Sequence, residues 1–331
     1  MENVLKNNNI NIIKMSSFIK WVGGKTQLLS QITPLFPTQI DTYYEPFIGG
    51  GSVLFWVLDS QKSGSINVKN IVASDINEDL IGCYNAIKND PEKLIKILTH
   101  LETTWKSIEA KKVCLPDGIT RIKPLEHAPT KSASEDDAKK CSREGYYYWI
   151  RDKFNDRETN TDNIERAAWF IFMNKIGWRG VCRYSKHNNS FNVPYGNPSR
   201  TCMIFNKEHI NSCSQLIKDV TFVVSGWKEV TTDVKKNDFI FFDPPYIDND
   251  TESTPNFTGY TANGFSEHDE LFKFCNKLKT DNISWIMTNA HNKLFFNIFE
   301  NVTIKIIDAR RAINSKNPAA STKEIIIINV V

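Results

Sequence analysis

The chain has 331 residues, 40% of them hydrophobic, with 41 Lys and Arg residues against 38 Asp and Glu residues. This length and hydrophobic content suit one large domain or two ordinary ones with a packed core. A net charge of +3 identifies no partner, so a nucleic-acid surface would have to arise from local clustering of basic residues.

The apolar runs are of strand length, and no segment has the pattern of a signal peptide or a membrane span. The seven cysteines are odd in number and contain no Cys-x-x-Cys pair. This usage is typical of reduced thiols in a cytosol-like compartment. We therefore expect a cytoplasmic protein without membrane insertion or a metal site.

Two glycine turns follow residues 1–16, a segment rich in Asn, Lys and Ile that we expect to be a loosely ordered extension. Residues 18–25, Phe-Ile-Lys-Trp-Val-Gly-Gly-Lys, lead into a helix and place Lys25 where helix N–H groups favour an anion. The spacing is not that of a Walker loop, and a plain strand-to-helix turn is the alternative. Residues 43–52 end in Gly-Gly-Gly-Ser, which permits close backbone approach to a ligand.

A strand at residues 70–75 ends in Asp75. In nucleotide-binding sheets, an acid at the end of the second strand accepts hydrogen bonds from ribose hydroxyls. The pattern predicts an adenosine-bearing ligand. A dinucleotide-dependent dehydrogenase is an alternative that lacks the full Gly-x-Gly-x-x-Gly motif.

Apolar residues at helical spacing predict two core helices between residues 77 and 101, separated at Pro91. Residues 114–141 combine several prolines with a mixed polar run, which predicts a surface insertion or loop.

The segment 166–207 contains no Asp or Glu. Its basic residues are Arg166, Lys175, Arg179, Arg183, Lys186, Arg200 and Lys207. Side chains that stack on bases or hydrogen-bond to them lie between these charges: Trp178, Tyr184, His187, Asn188, Asn189 and Tyr195. We interpret the segment as a DNA-binding loop, with a solvated basic face as the alternative.

Strands resume after this segment, at residues 221–225, 239–242, 284–288, 302–307 and 324–329. Helical stretches at 267–278 and 293–299 separate the middle ones. With the two early strands, the pattern predicts an α/β fold whose largely parallel sheet has about seven strands.

The strand at 239–242 is a continuous apolar run that ends in Asp-Pro-Pro-Tyr. Such a run suits a strand that is covered on both faces. Pro244 cannot donate to the ladder and holds Asp243 extended at the carboxyl end, where open α/β sheets bind ligands. We expect the chemistry here, although an ordinary Pro-Pro turn would have the same local sequence.

The order of these motifs resembles that of the DNA adenine-N6 methyltransferases of the alpha arrangement, a family that includes bacterial enzymes methylating GATC. The resemblance covers nearly the whole chain from Phe18. It rests on residues 18–25, 45–52, 74–77 and 243–246, in that order, with further matches at 180–184, 191–196, 256–260 and 310–314. The chain departs from the family at Trp178 and Val181, where a tyrosine and a leucine are expected, and by one extra residue before Phe191.

The resemblance implies a Rossmann-like class I methyltransferase fold. Residues 17–88 and 207–331 would form the catalytic domain, and residues 89–206 an inserted, mainly helical target-recognition domain. The implied cofactor is S-adenosylmethionine, with Lys25 near its carboxylate, the glycines supplying backbone donors and Asp75 on the ribose. The implied cofactor-binding residues are Trp21, Lys25, Glu45, Phe47, Gly49, Gly51, Ser52, Asp75, Ile76 and Asp243.

The implied catalytic residues are Asp243, Pro244, Pro245 and Tyr246. The Asp243 carboxylate and the Pro244 carbonyl would accept the two amino hydrogens of adenine, which helps to localise the nitrogen lone pair for direct attack on the methyl group. Tyr246 would stack on the base, which must be extruded because a methyl donor cannot reach adenine inside the duplex.

The implied partner is double-stranded DNA, and the expected target is GATC. Arg183 would bond O6 and N7 of one guanine, Lys20 would contact the other, and Trp178 would wedge into the base stack. The DNA-binding residues are Lys20, Trp178, Arg179, Val181, Arg183 and Pro194. The Asn, Lys and Ile richness indicates an AT-rich genome, bacterial or viral. A cognate restriction endonuclease would be a genetic partner, which these motifs neither require nor exclude.

Two other functions share parts of this pattern. Related Asn-Pro-Pro-Tyr enzymes methylate protein glutamine or other nitrogens, but here Asp243 replaces the Asn and a recognition block precedes the catalytic motif. A DNA-binding module without catalysis is the other alternative. Intact residues at every cofactor and catalytic position argue against it.

Overall fold

The structure is a computed structural model that describes residues 16–108, 112–114, 120–122, 134–140, 142–157, 162–247, 265–310 and 321–331. The amino-terminal extension up to residue 15, the motif at 256–260 and residues 311–314 lie outside the described residues. The described strands are β1 (Gln39–Glu45), β2 (Asn67–Asp75), β3 (Lys112–Cys114), β4 (Thr120–Ile122), β5 (Thr221–Val224), β6 (Phe239–Phe242), β7 (Ser284–Ala290), β8 (Thr303–Arg310) and β9 (Ser321–Asn329). The described α-helices are α1 (Leu29–Ile32), α2 (Ser52–Lys62), α3 (Glu78–Asn89), α4 (Pro91–Ser107), α5 (Glu135–Lys140), α6 (Arg143–Asn155), α7 (Asn163–Ile176), α8 (Lys207–Leu216), α9 (Trp227–Val230), α10 (His268–Thr280) and α11 (Leu294–Ile298).

Within the described residues, seven strands form one sheet in the order β5-β2-β1-β6-β7-β9-β8. Strand β9 is antiparallel to both neighbours, and the other adjacent pairs are parallel. This confirms the predicted seven-stranded, largely parallel α/β sheet. The fold is Rossmann-like.

The central strands are the most deeply buried part of the sheet. Every residue of β6 and β7 is buried, whereas the edge strand β5 is partly exposed along its length. The apolar runs that predicted these strands therefore reflect helix cover on both faces.

The strand order reverses at β1, which pairs with β2 on one side and β6 on the other. In open α/β sheets the crevice beside the carboxyl ends at such a point binds ligands. Strands β1 and β2 end there in Glu45 and Asp75, and Asp243 follows β6.

The region between the early strands and β5 is mainly helical, as predicted. Helix α7 packs against α3, α4 and α6. Its apolar residues join the same hydrophobic cluster as those of α2 and α3, so this region shares its core with the sheet layer. No helix in the described ranges combines the length and apolar content that a bilayer crossing requires.

Two expectations need correction. The segment 166–207 does not begin as a loop, because its first eleven residues belong to α7, in which most side chains from Ala167 onward are buried. Residues 114–141 are not only a loop, because they contain the last residue of β3, strand β4 and helix α5. Helix α5 is favoured because acids occupy its first turn and lysines its last, which complements the helix dipole.

Candidate active site and nucleic-acid interface

The glycine turn after β1 is tightly packed. Gly49 and Gly51 have φ values of 48° and 69°, a conformation that strains other residues. A Cβ atom on Gly49 would lie 2.7 Å from Cδ1 of Trp21, so the indole lies directly against the turn. The Tyr84 hydroxyl donates to the Gly49 carbonyl at 3.0 Å. Glycine is required here by backbone conformation and close approach together.

Two N–H groups of this turn are bonded within the protein. The N–H of Gly49 donates to Asp75 Oδ2 at 3.2 Å, and that of Gly51 donates to the Ile48 carbonyl at 2.8 Å. The resemblance implied that these groups face the methyl donor. In this structure the Gly49 N–H helps to fix the Asp75 carboxylate, and the role of the turn as a donor to the cofactor stays a prediction.

Asp75 is held by backbone donors at the end of β2. Its Oδ1 accepts from the N–H of Asn77 at 2.9 Å, in addition to the bond from Gly49. Burial raises the pKa of Asp75 to about 6, although the N–H groups of Asn77, Gly49 and Ile76 oppose that shift. Ile76, beside it, is 53% exposed. The carboxylate and the apolar side chain thus meet at one edge of the crevice.

Glu45 is a buried carboxyl at the end of β1, 3% exposed. The Tyr43 hydroxyl donates to its Oε2 at 2.7 Å. Burial raises the pKa of Glu45 to about 8, and the Asp243 charge adds to this shift, whereas the Tyr43 bond and Lys25 oppose it. Glu45 therefore carries a proton in most molecules at pH 7.

Lys25 connects three of the predicted motifs. Its N–H donates to Ser52 Oγ at 2.9 Å, which links the first glycine turn to the second. Its ammonium lies 2.6 Å from Asp243 Oδ2 and also donates to the Gly23 carbonyl at 2.6 Å. The structure pairs this ammonium with Asp243, and its proximity to the carboxylate of the methyl donor stays a prediction. Lys25 opens a short 3-10 turn, which is followed by the four-residue helix α1.

A second donor fixes Asp243. The Thr288 hydroxyl, buried near the carboxyl end of β7, donates to Asp243 Oδ1 at 2.7 Å. Each carboxylate oxygen therefore has one donor within the protein and keeps lone-pair capacity for another.

The other residues of the catalytic motif are anchored as well. The Tyr246 hydroxyl donates to Glu324 Oε2 at 2.7 Å, and the Lys25 ammonium lies 4.9 Å from the Tyr246 ring centroid. A ring nitrogen of His268 lies 2.8 Å from the Pro245 carbonyl oxygen. Pro244 is buried, and Phe47 packs edge-on against Phe265.

Sequence reasoning did not identify Thr288, Glu324 or His268 as parts of this site. The signal for Thr288 was available, because a polar residue that ends a buried apolar strand points to the same edge of the sheet as Asp243. The pairing of Glu324 with Tyr246 depends on the antiparallel position of β9, which no local pattern predicted.

A glycine-rich turn carries the exposed residues predicted to bind DNA. Trp178 is 44% exposed, and the Arg179 guanidinium lies 4.9 Å from the centroid of its ring. A Cβ atom on Gly180 would lie 2.6 Å from Cδ of Lys20, so Lys20 is packed against the turn. The N–H of Trp178 donates to the Pro194 carbonyl at 2.9 Å.

Asn174 joins Lys20 to this turn. Its Oδ1 accepts from the N–H of Lys20 at 2.9 Å, and its Nδ2 donates to the carbonyls of Lys20 at 2.8 Å and Gly180 at 3.1 Å. Asn174 is 2% exposed. The opening motif and the recognition segment are therefore held together by one buried amide.

Arg183 is exposed and oriented by a neighbour. Its Nε donates to Asn192 Oδ1 at 2.7 Å, and its Nη2 donates to the Asn192 carbonyl at 3.1 Å. Pro194 is also exposed. The structure thus brings Lys20, Trp178, Arg179, Arg183 and Pro194 to one connected set of turns.

Two residues of the predicted DNA surface are buried instead, and a third is largely covered. Val181 is 3% exposed, so its side chain offers no apolar contact to bases in this structure. Tyr184 is buried, and its hydroxyl donates to Asp79. Arg166 is paired with the same carboxylate. Val181 and Cys182 are both buried, and the alternation of an extended segment then turns Arg183 outward and Tyr184 inward.

The fold and the polar site at its carboxyl edge define a class I methyltransferase. A sequence profile of the D12 class N6 adenine-specific DNA methyltransferases matches residues 21–112 and 119–313. The chain belongs to this family, which confirms the resemblance seen in its motifs.

Named relatives agree with the family. The chain is 34% identical over 315 residues to the type II methyltransferase M.MjaIII of Methanocaldococcus jannaschii, covering 92% of this chain and 94% of the relative. It is 31% identical over 336 residues to the type II methyltransferase M1.LlaDCHI of Lactococcus lactis subsp. cremoris, covering 99% of each. It is 27% identical over 321 residues to the DNA adenine methylase of Haemophilus influenzae, covering 96% of this chain and 94% of the relative.

Proposed function

We propose that this adenine-specific DNA methyltransferase transfers a methyl group from S-adenosylmethionine to N6 of an extruded adenine within GATC in double-stranded DNA. The observation that carries the proposal is the position of Asp243, which is fixed by two donors beside the glycine turn of β1. The division into a catalytic domain, residues 17–88 and 207–331, and a recognition domain, residues 89–206, is part of the proposal.

The crevice beside β1 and β2 has the chemistry to hold S-adenosylmethionine. Asp75 offers carboxylate oxygens to the ribose hydroxyls, and the exposed Ile76 offers an apolar surface to the adenine ring. Trp21 covers the glycine turn, and Glu45 lies buried at its base. The bound cofactor supplies an electrophilic methyl group on its sulfonium.

Asp243 and Pro244 act on the acceptor. An Asp243 oxygen and the Pro244 carbonyl would accept the two amino hydrogens, which localises the lone pair on N6 toward the methyl group. N6 gains the methyl group as the carbon–sulfur bond breaks, and one of its two protons is then released to solvent. Lys25 and Thr288 keep the carboxylate from rotating, so acceptance of the amino hydrogen needs little reorganisation. Tyr246, anchored on Glu324, provides the ring on which the extruded base stacks.

The turns around Arg183 supply recognition. Its guanidinium, held by Asn192, is suited to a bidentate contact with guanine, and Lys20 is placed for the second guanine. Trp178 has the size and exposure to occupy the space that the base vacates. We further propose that the enzyme acts in the cytoplasm, with a cognate restriction endonuclease as a genetic rather than physical partner.

The test is to express the wild type and Asp243→Asn in a host that lacks adenine methylation and to sequence the modified DNA directly. We expect N6-methyladenine in GATC from the wild type and none from the variant. Asp41→Asn, near the amino end of β1 in the same sheet, is the matched control and should methylate normally. Methylation of another motif would overturn the GATC assignment alone, whereas modification of protein instead of DNA would overturn the substrate.

A further inference from the structure

Asp79 is a buried carboxylate outside the proposed site, at the second position of helix α3. Its side chain is 2% exposed. The Arg166 Nε donates to its Oδ1 at 2.7 Å, and the Tyr184 hydroxyl donates to its Oδ2 at 2.5 Å. A buried carboxylate is tolerated only when paired and hydrogen-bonded, and this one has its partners on the inserted region.

Arg166 is itself fixed on the far side of this carboxylate. Its Nη1 donates to the Phe154 carbonyl at 2.7 Å, and its guanidinium carbon lies 4.0 Å from the centroid of the Phe154 ring. Helices α3, α6 and α7 therefore meet at Asp79. This arrangement makes Asp79 a rigid acceptor for the Tyr184 hydroxyl.

Tyr184 is the residue next to Arg183. It forms an antiparallel bridge with Phe191 and is buried, whereas Arg183 is exposed. Side chains of successive residues in an extended segment point to opposite sides. The inward anchor on Asp79 therefore determines where the outward guanidinium of Arg183 emerges.

The same end of α3 touches the segment a second time. Asn77, whose Oδ1 accepts from the N–H of Leu80 at the start of α3, lies with Nδ2 3.6 Å from Sγ of Cys182. Asn77 also donates its N–H to Asp75. Residues 75–79 thus include Asp75 of the proposed cofactor edge and also contact Cys182 and Tyr184, the two neighbours of Arg183.

We propose that Asp79 and Tyr184 form a positioning link that sets Arg183 for guanine recognition. The link rests on the proposed function, since it acts through the base contact assigned to Arg183. Neither residue touches DNA. Loss of the link should therefore reduce discrimination at one base pair without changing the affinity for the methyl donor.

Tyr184→Phe is the most conservative test, because it removes one hydroxyl and keeps the ring that packs against Phe191. The recognition motif of the wild type is first read by sequencing modified DNA. The kcat/KM values are then compared on duplexes with that motif and with single base-pair changes. We expect discrimination at the guanine read by Arg183 to fall about tenfold, with other positions and donor affinity unchanged.

Tyr146→Phe is the matched control. It also removes a buried hydroxyl that donates to a carboxylate, Glu135 Oε1 at 2.8 Å, but it lies away from the recognition turns. Its discrimination should equal that of the wild type. In addition, Tyr184→Phe should change nothing further when Arg183 is already alanine, because the two substitutions act on one contact.

The link would be overturned if Tyr184→Phe left discrimination unchanged or lowered kcat/KM equally on all duplexes. Methylation by the wild type would still support the proposed activity in that case. A wild type that methylates no duplex would instead overturn the proposed function, and the link with it.

Discussion

The ammonium of Lys25 and the carboxylate of Asp243 form an ion pair of 2.6 Å at the carboxyl edge of the sheet. The two side chains are 5% and 19% exposed. The pair joins the first motif of the chain to the catalytic strand. Removing one member leaves a poorly solvated charge, which is costly, whereas removing both members costs much less.

We predict that Lys25→Met loses about 3 kcal/mol of unfolding free energy and most of its methyl transfer. Adding Asp243→Asn should restore much of the stability but none of the activity. Urea unfolding and single-turnover rates on the same samples measure the two effects. Lys69→Met, which breaks the exposed pair with Asp41, is the control and should leave stability nearly unchanged. An equally small change in Lys25→Met would show that the buried pair is not structural.

We predict that Thr288→Val slows methyl transfer about tenfold, because a methyl group replaces the hydroxyl that orients Asp243. DNA affinity should be unaffected. Thr231→Val is the matched control, since Thr231 is also buried and donates to a carbonyl, that of Trp227, at 2.6 Å. Equal single-turnover rates for the two variants would remove Thr288 from the catalytic arrangement.

We predict a pH-dependent stability that comes from Glu45. Its folded pKa is about 8 against an ordinary value of 4.5, so the folded state binds more protons than the unfolded state in this window. Its contribution is fully present below about pH 4.5 and is lost as pH rises through 8, by on the order of 5 kcal/mol. Glu45→Gln should flatten the unfolding free energy over this window, as measured by urea unfolding without the methyl donor.

Asp75→Asn provides the contrast for that measurement. The pKa of Asp75 is about 6 in the folded state against an ordinary value of 3.8. Its effect on the unfolding free energy is therefore confined to the lower part of the same pH window. Identical pH profiles for the wild type and Glu45→Gln would contradict the assignment to Glu45.

We predict that Asp75→Ala weakens S-adenosylmethionine binding by about 1.5 to 3 kcal/mol, the loss expected for a charge-assisted hydrogen bond. Calorimetric titration measures it directly. Affinity for DNA should change little, and an unchanged donor affinity would remove Asp75 from the cofactor site.

We predict that Arg183→Ala relaxes discrimination at one guanine by about 1 to 3 kcal/mol. Lys186→Ala, an exposed residue of the same segment, should instead weaken binding to all sequences alike and reduce its salt dependence. Direct sequencing of modified DNA from hosts expressing each variant separates the two results. An unaltered motif in Arg183→Ala would assign guanine recognition to another residue.

The sheet was predictable from the sequence because its strands are short apolar runs bounded by polar or turn residues. The same runs placed Asp75 and Asp243 at strand ends, and the parallel topology brings such ends to one edge. The anchors Thr288 and Glu324 were not predictable in this way, since each depends on which strands become neighbours.

The recognition region was harder to predict because α7 is buried nearly all round. A helix without a polar face lacks the amphipathic period that identifies helices in sequence. The charges of Arg166 and Lys175 also interrupt its apolar run, so the sequence resembles a basic loop more than a buried helix. The burial of Tyr184 likewise depends on Asp79, a residue more than a hundred positions earlier in the chain.

The shared core of α3 and α7 has a consequence for how target specificity can diversify. Transplanting residues 89–206 between relatives would separate Arg166 from Asp79 and Ala167 from Cys83, leaving mismatched buried surfaces on both halves. The region is not an exchangeable cassette. New specificities in this lineage should arise by point changes at the exposed positions of the turns from Trp178 to Pro194, such as Arg179 and Arg183, where a side chain can change without disturbing the core.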